Sequence, residues 1–161
     1  MLKCLNLGSG KDYRDSDADH HWINADISRL IKTDLVMDAF KVPYPFGNAQ
    51  FDIVMVHDFL EHVPHTLFDS SNAPLPRDGF LIIMDELWRI LKPGGLLEAR
   101  FPHPTSPNVF VDPTHTRVIY PETFRWYFYP DNTLSFYTEY HWTDFEATDL
   151  GDGNILVHMI K

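Results

Sequence analysis

The seven residues Phe51–His57, FDIVMVH, constrain this chain more than any others. Apolar side chains fill the run almost continuously, broken only by Asp52. A strand with one solvated face alternates apolar and polar residues. A nearly unbroken apolar run suits a strand covered on both faces, as in the parallel sheets of α/β proteins. The neighbouring segments agree. Leu2–Leu7, Trp22–Asp26, Asp34–Asp38 and Leu96–Phe101 read as further strands. Gly79–Lys92 reads as a helix, with Phe80, Ile83, Leu87 and Leu91 at helical spacing and a stop at Lys92-Pro93-Gly94-Gly95. Strands alternating with helical segments predict a mostly parallel, twisted sheet.

The rest of the chain is less regular. Asp58–Val63 begins a helix that Pro64 interrupts, and His65–Arg77, with two prolines and Ser-Ser-Asn, reads as a loop. Pro121–Tyr129 fits a short helix with proline in its first turn. Thr143–Leu150 and Asn154–Lys161 flank Gly151-Asp152-Gly153, which predicts an antiparallel hairpin at the end of the sheet. Only eleven residues separate Gly10 from Trp22, so the first crossover helix is shortened or lost. With 161 residues, one domain over 1–161 is expected, with a core over 1–103 and a loop, short helix and hairpin over 104–161.

Composition narrows the function classes. The net charge of −10 disfavours extended contacts with nucleic acid, whose affinity comes from Lys and Arg. The single cysteine, Cys4, allows neither an internal disulfide nor a cysteine zinc site, and suits a reducing compartment. No stretch approaches the ~20 apolar residues of a membrane span, and the N-terminus reads as strand, not as a signal peptide. A soluble, cytoplasmic protein acting on a small molecule is the expectation.

Several residues carry chemistry. Gly8-Ser9-Gly10 directly follows the first strand, where glycine permits a tight turn and a close approach to a ligand. Ligands of doubly wound sheets bind beyond the carboxyl ends of the strands. Asp26, ending the second strand, can accept from both hydroxyls of a ribose. Asp38, ending the third, can accept from an adenine amino group while Phe40 packs on the ring. Asp58, Glu61 and His62 would share one helical face and could ligate a divalent metal, with His103 or His115 completing the set. Asp112 could orient His115 as a general base. His20-His21 lies in a polar stretch and reads as solvated. The aromatic residues from Phe124 to Trp142 read mainly as core, with room for an aromatic wall.

In order, the pieces LNLGSG, INADI, DLVMDAF, PYPFGNAQFDIVMVHDFLEHV and DELWRILKPGGLLEARFPH resemble the class I S-adenosylmethionine-dependent methyltransferases. The resemblance covers roughly the first two-thirds of the chain and implies a Rossmann-like fold. It implies that Gly8, Ser9 and Gly10 face the methionine part of S-adenosylmethionine, that Asp26 meets the ribose, and that Asp38, Ala39 and Phe40 lie near adenine. It places His57 and Asp58 beside the sulfonium and substrate, and leaves His57 and His115 as candidate bases. The family often carries Asp or Glu where Asn6 stands, which implies a weaker acidic contact in the loop. With no extension ahead of the first strand, the substrate is expected under His65–Arg77 and His103–Trp142. Asp58, Glu61 and His62 resemble the Glu-x-x-Glu-His metal site of some O-methyltransferases. The expected activity is methyl transfer to a small molecule. Its alternatives are a noncatalytic S-adenosylmethionine-binding or regulatory module and a metal-assisted O-methyltransferase. A nicotinamide oxidoreductase is disfavoured, because the loop GSGKDY does not follow G-x-G-x-x-G.

Overall fold

The computed structural model describes residues 1–67, 77–130 and 133–161. Nine strands form in chain order: β1 (Leu2–Leu7), β2 (His20–Asp26), β3 (Leu35–Val36), β4 (Phe51–His57), β5 (Thr66–Leu67), β6 (Arg77–Asp78), β7 (Leu91–Pro102), β8 (Asp144–Asp149) and β9 (Asn154–Ile160). The helices are α1 (Gly79–Ile90), α2 (Asn108–Val111) and α3 (Pro121–Phe128). Seven strands make one sheet in the order β3-β2-β1-β4-β7-β9-β8. The first five are parallel, and β9 and β8 close the edge as the antiparallel hairpin. The α/β fold read from the sequence is the observed one. The segment 68–76 of the expected loop lies outside the described residues, while its flanks β5 and β6 pair antiparallel.

One face of the sheet carries the core. Leu5, Leu7, Val54, Val56, Leu97, Ala99, Phe101, Val157 and Met159 alternate along their strands and are buried. The Phe80, Ile83 and Leu87 stripe of α1 is buried with them, as its spacing predicted, and Phe124, Phe128 and Trp142 complete the same cluster. Burial of these side chains is the main favourable term in holding the layers together. Asp78 caps α1 by accepting from Phe80 N–H at 2.9 Å. Gly79 is fixed by a close approach, because a Cβ there would lie 2.1 Å from the Pro64 carbonyl oxygen. The expected helix to Lys92 ends two residues early. Leu91 is already extended and pairs with Phe51, so Lys92–Gly95 is an excursion inside β7 and not a helix end.

The opposite face is covered differently. Between β1 and β2 the chain makes no helix, and most of residues 11–19 are exposed. Polar bonds hold this crossover to the sheet. The Asn6 amide donates to the Asp12 carbonyl at 2.6 Å and to Asn24 Oδ1 at 3.1 Å. Asn24 accepts from Arg14 N–H at 2.8 Å and donates to the Arg14 carbonyl at 2.9 Å. Both asparagines are buried. Asn6 therefore anchors the shortened crossover. Two strand boundaries also differ from expectation. β2 starts two residues earlier, taking in His20 and His21, and β3 is only Leu35–Val36, with Asp34 ahead of it accepting from Asn24 at 2.8 Å.

Candidate functional site

The carboxyl ends of β1, β2 and β4 meet in one rim. Gly8 and Gly10 have φ of 69° and 51°, a left-handed backbone that favours glycine. Gly8 and Ser9 donate their N–H groups to the Ala25 carbonyl at 2.8 and 3.1 Å, so the loop lies across the end of β2. A Cβ on Gly8 would come within 2.9 Å of the Phe59 ring. Above Gly10 the nearest atom to such a Cβ is 4.0 Å away, leaving the loop open on that side. Ser9 Oγ is buried and has no hydrogen-bond partner.

Asp26 stands beside this loop with a fixed carboxylate. Oδ2 accepts from Gly10 N–H at 2.9 Å and Oδ1 from Ser28 N–H at 2.8 Å. Each oxygen keeps a lone pair, enough to accept from two vicinal hydroxyls. Asp38 lies two residues beyond β3 and not within it. Its Oδ1 accepts from Phe40 N–H at 3.0 Å, and Lys41 Nζ lies 3.5 Å from Oδ2. Ala39 is buried and Phe40 stacks on Phe59, centroids 5.7 Å apart. Phe59 thus joins the β1 loop to the β3 loop. Sequence reasoning missed it, and its place directly after the β4 end was the available signal.

At the end of β4 both expected catalytic residues are engaged. His57 Nε2 lies 2.8 Å from Glu98 Oε1, and His158 Nε2 lies 3.1 Å from Glu98 Oε2. These bonds, His57 first, overcome desolvation and hold the Glu98 carboxyl down at about 2. Asp58, at φ 50°, gives its carboxylate to Arg100. Leu60–His62 forms a single 3-10 turn starting after Phe59, so Asp58 precedes it and does not share a face with Glu61 and His62. Of the expected metal ligands Asp58, Glu61, His62 and His115, the structure brings together the trio Glu61, His62 and His115 and leaves Asp58 out. His103 is not part of it either, since its Nδ1 lies 2.8 Å from Thr105 Oγ1.

The trio is assembled by a seam between distant segments. Thr116 N–H donates to the Glu61 carbonyl at 2.8 Å, and Thr116 Oγ1 donates to the Val63 carbonyl at 2.6 Å. His115 thereby reaches His62, ring centroids 4.7 Å apart, and its Nε2 lies 4.0 Å from Glu61 Oε1. Burial pushes the Glu61 carboxyl up to about 8. Asp112 does not orient the His115 ring. Its Oδ1 accepts from Thr114 N–H at 2.8 Å and from the Thr114 hydroxyl at 2.6 Å, and Thr114 in turn meets His62.

The tail aromatics divide in two. Phe124, Phe128 and Trp142 are core, whereas Trp126, Phe136 and Tyr137 are exposed. A groove of about 760 Å³ lies between α1, residues 136–140 and Val42-Pro43. Four of its charged side chains pair with one another, Arg77 with Asp85 at 2.8 Å and Arg89 with Glu86 at 2.6 Å. No helix among the described residues is long and apolar enough to cross a membrane.

The chemistry of the rim fits S-adenosylmethionine: a buried serine hydroxyl without a partner, a glycine open above its Cα and a carboxylate with spare lone pairs stand together at the ends of β1 and β2. A parallel sheet of this order with such a rim defines a class I S-adenosylmethionine-dependent methyltransferase. The chain belongs to the family described as a methyltransferase domain, whose model matches residues 4–99. No curated protein sequence matches it. Among solved structures, a SAM-dependent methyltransferase from Archaeoglobus fulgidus superposes with a TM-score of 0.66 at 16% identity, covering 99% of this chain and 86% of that one. The CurJ carbon methyltransferase gives 0.66 at 11% identity, covering 99% of this chain and 48% of that one, so this chain spans about half its length. The [4+2]-cyclase SpnF gives 0.61 at 14% identity, covering 99% and 74%. At these identities the likeness shows the fold, and the fold hosts more than one chemistry.

Proposed function

We propose that this protein transfers the methyl group of S-adenosylmethionine to an oxygen or nitrogen of a small molecule held against residues 103–142. The carrying observation is the buried, unpartnered Ser9 hydroxyl beside Gly10 and the fixed Asp26 carboxylate. A buried polar group without a partner costs free energy that a bound ligand can recover. S-adenosylmethionine, when bound, supplies a sulfonium-activated methyl group for in-line displacement. The chain supplies orientation. Gly8, Ser9 and Gly10 seat the methionine part, Asp26 accepts from the ribose hydroxyls, and Asp38, Ala39 and Phe40 border the adenine. His57, held by Glu98, and Asp58, held by Arg100, shape the wall at the methyl group. The acidic surface supports a small acceptor over a polyanionic one.

Calorimetry tests the cofactor reading directly. S-adenosylmethionine and its demethylated product should bind one per chain and raise Tm, while NAD and ATP do much less. No heat of binding at millimolar S-adenosylmethionine would overturn it.

A further inference from the structure

Beyond the nucleoside rim, the seam between residues 61–63 and 109–116 gathers one buried carboxylate and two imidazoles. One donor atom from each of Glu61, His62 and His115 lies within 4.8 Å of the other two. The surrounding hydrogen bonds settle which atoms are free. The Thr114 hydroxyl has one proton, and it goes to Asp112 Oδ1, 2.6 Å away, because an ionised carboxylate only accepts. Thr114 Oγ1 then accepts from His62 Nδ1 at 2.9 Å, and the Thr114 carbonyl offers a second acceptor at 3.3 Å. His62 is therefore protonated at Nδ1, with its lone pair on Nε2. His115 Nδ1 faces the Val109 carbonyl at 3.1 Å, which fixes the same tautomer. Beside them lies Glu61, 2% exposed, with neither carboxylate oxygen hydrogen-bonded and Oε1 4.0 Å from His115 Nε2.

A histidine that donates through Nδ1 to a carbonyl or hydroxyl and presents Nε2 to a carboxylate is the arrangement of a metal ligand with its outer support. We propose that Glu61, His62 and His115 form a binding site for one divalent transition-metal cation of the zinc type. Two nitrogens and one oxygen suit zinc, manganese or iron(II), and not magnesium, which prefers oxygen ligands. Donors around tetrahedral zinc sit roughly 3.3 Å apart, so each side chain here closes in by up to roughly an ångström. His62 and His115 are half-buried, and Glu61 is buried. Three protein ligands leave a coordination position for an oxygen of water or of an acceptor. The site lies just past Phe59, whose ring meets Gly8, and its use in methyl transfer rests on the proposed function; the binding of metal does not.

The test uses the full chain, stripped with chelator, dialysed and titrated by calorimetry with zinc, manganese and magnesium ions. One zinc per chain is expected, with a rise in Tm and far weaker magnesium binding. Glu61→Gln and His115→Ala should each weaken zinc at least about tenfold. His21→Ala, on an exposed residue away from the seam, should leave it unchanged. Cobalt(II) should give visible absorption bands that His115→Ala removes. Zinc affinity untouched by Glu61→Gln overturns the site, as does binding lost with His21→Ala. Should His115→Ala fail to fold, the isosteric Glu61→Gln carries the test. S-adenosylmethionine affinity, measured on the same metal-free protein, separates the two readings. Cofactor binding without zinc binding sinks only the metal site, and zinc binding without cofactor binding sinks only the methyltransferase reading.

Discussion

Asp26 serves the backbone before it serves any ligand, because one oxygen holds Gly10 and the other Ser28. In the proposed binding mode, removing it withdraws the acceptors for a ribose and loosens the loop assigned to the methionine part. Asp26→Ala should cost about 1.5–3 kcal/mol of S-adenosylmethionine binding, the range for hydrogen bonds to a charged group. The far-UV spectrum should not change, since the residue lies outside the core. An unchanged Kd by calorimetry would return Asp26 to a turn-forming role. Its place beside the glycine loop was legible in the sequence, because it ends the strand next in order after that loop. Glu98 was not. Its partners His57 and His158 stand 41 and 60 positions away, and they meet only because β4, β7 and β9 are neighbours in the sheet. No local period announces such a contact. Thr114 and Asp112 escaped for the same reason. Their link to His62 exists only once the Thr116 seam is closed.

Among the elements, α1 was the most legible and is the most tightly held. Its stripe repeats at helical spacing, Asp78 caps it, and ten of its twelve residues are buried. Where the reading slipped, the physics was local. Pro93-Gly94-Gly95 reads as a helix stop, yet Leu91 prefers a partner in β4, so the helix yields to the sheet before the glycines are reached. The 58–63 turn slipped because six residues ahead of Pro64 are too few to sustain a helical nucleus, and only Leu60–His62 coils, as a 3-10 turn. The entry to α1 provides the sharper test. A methyl group on Gly79 meets backbone, the Pro64 carbonyl, and not a flexible side-chain tip. Gly79→Ala should therefore destabilise, despite the better helix propensity of alanine, by about 1–3 kcal/mol as in other overpacked sites. Urea unfolding would show the lowered midpoint. A midpoint that rises, as propensity alone would give, contradicts the close approach.

At the scale of the whole molecule, two carboxyls push stability in opposite directions along the pH axis. Glu98 is held down at about 2, so the folded state binds fewer protons than the unfolded one, and its contribution is complete above about 4.5 and lost as pH falls toward about 2. Glu61 is pushed up to about 8, so the folded state binds more protons between about 4.5 and 8, and stability falls as pH rises through that window. The metal-free protein should be most stable in mild acid. Glu61→Gln should flatten the decline between pH 5 and 8, and Glu98→Gln the acid limb. Urea midpoints from pH 2.5 to 8.5 measure both, and an unaltered slope in either variant would contradict that assignment. The two faces of the sheet also differ in what binds them. Oil holds α1 and α3, whereas the 11–19 crossover is fastened through Asn6 and Asn24. Polar fastenings open singly and briefly, and a largely exposed segment has little apolar burial to lose when they do. The crossover can lift from the sheet and reseat while the oily half stays shut. Ligand exchange at the glycine loop then keeps the time of a latch, and not of unfolding.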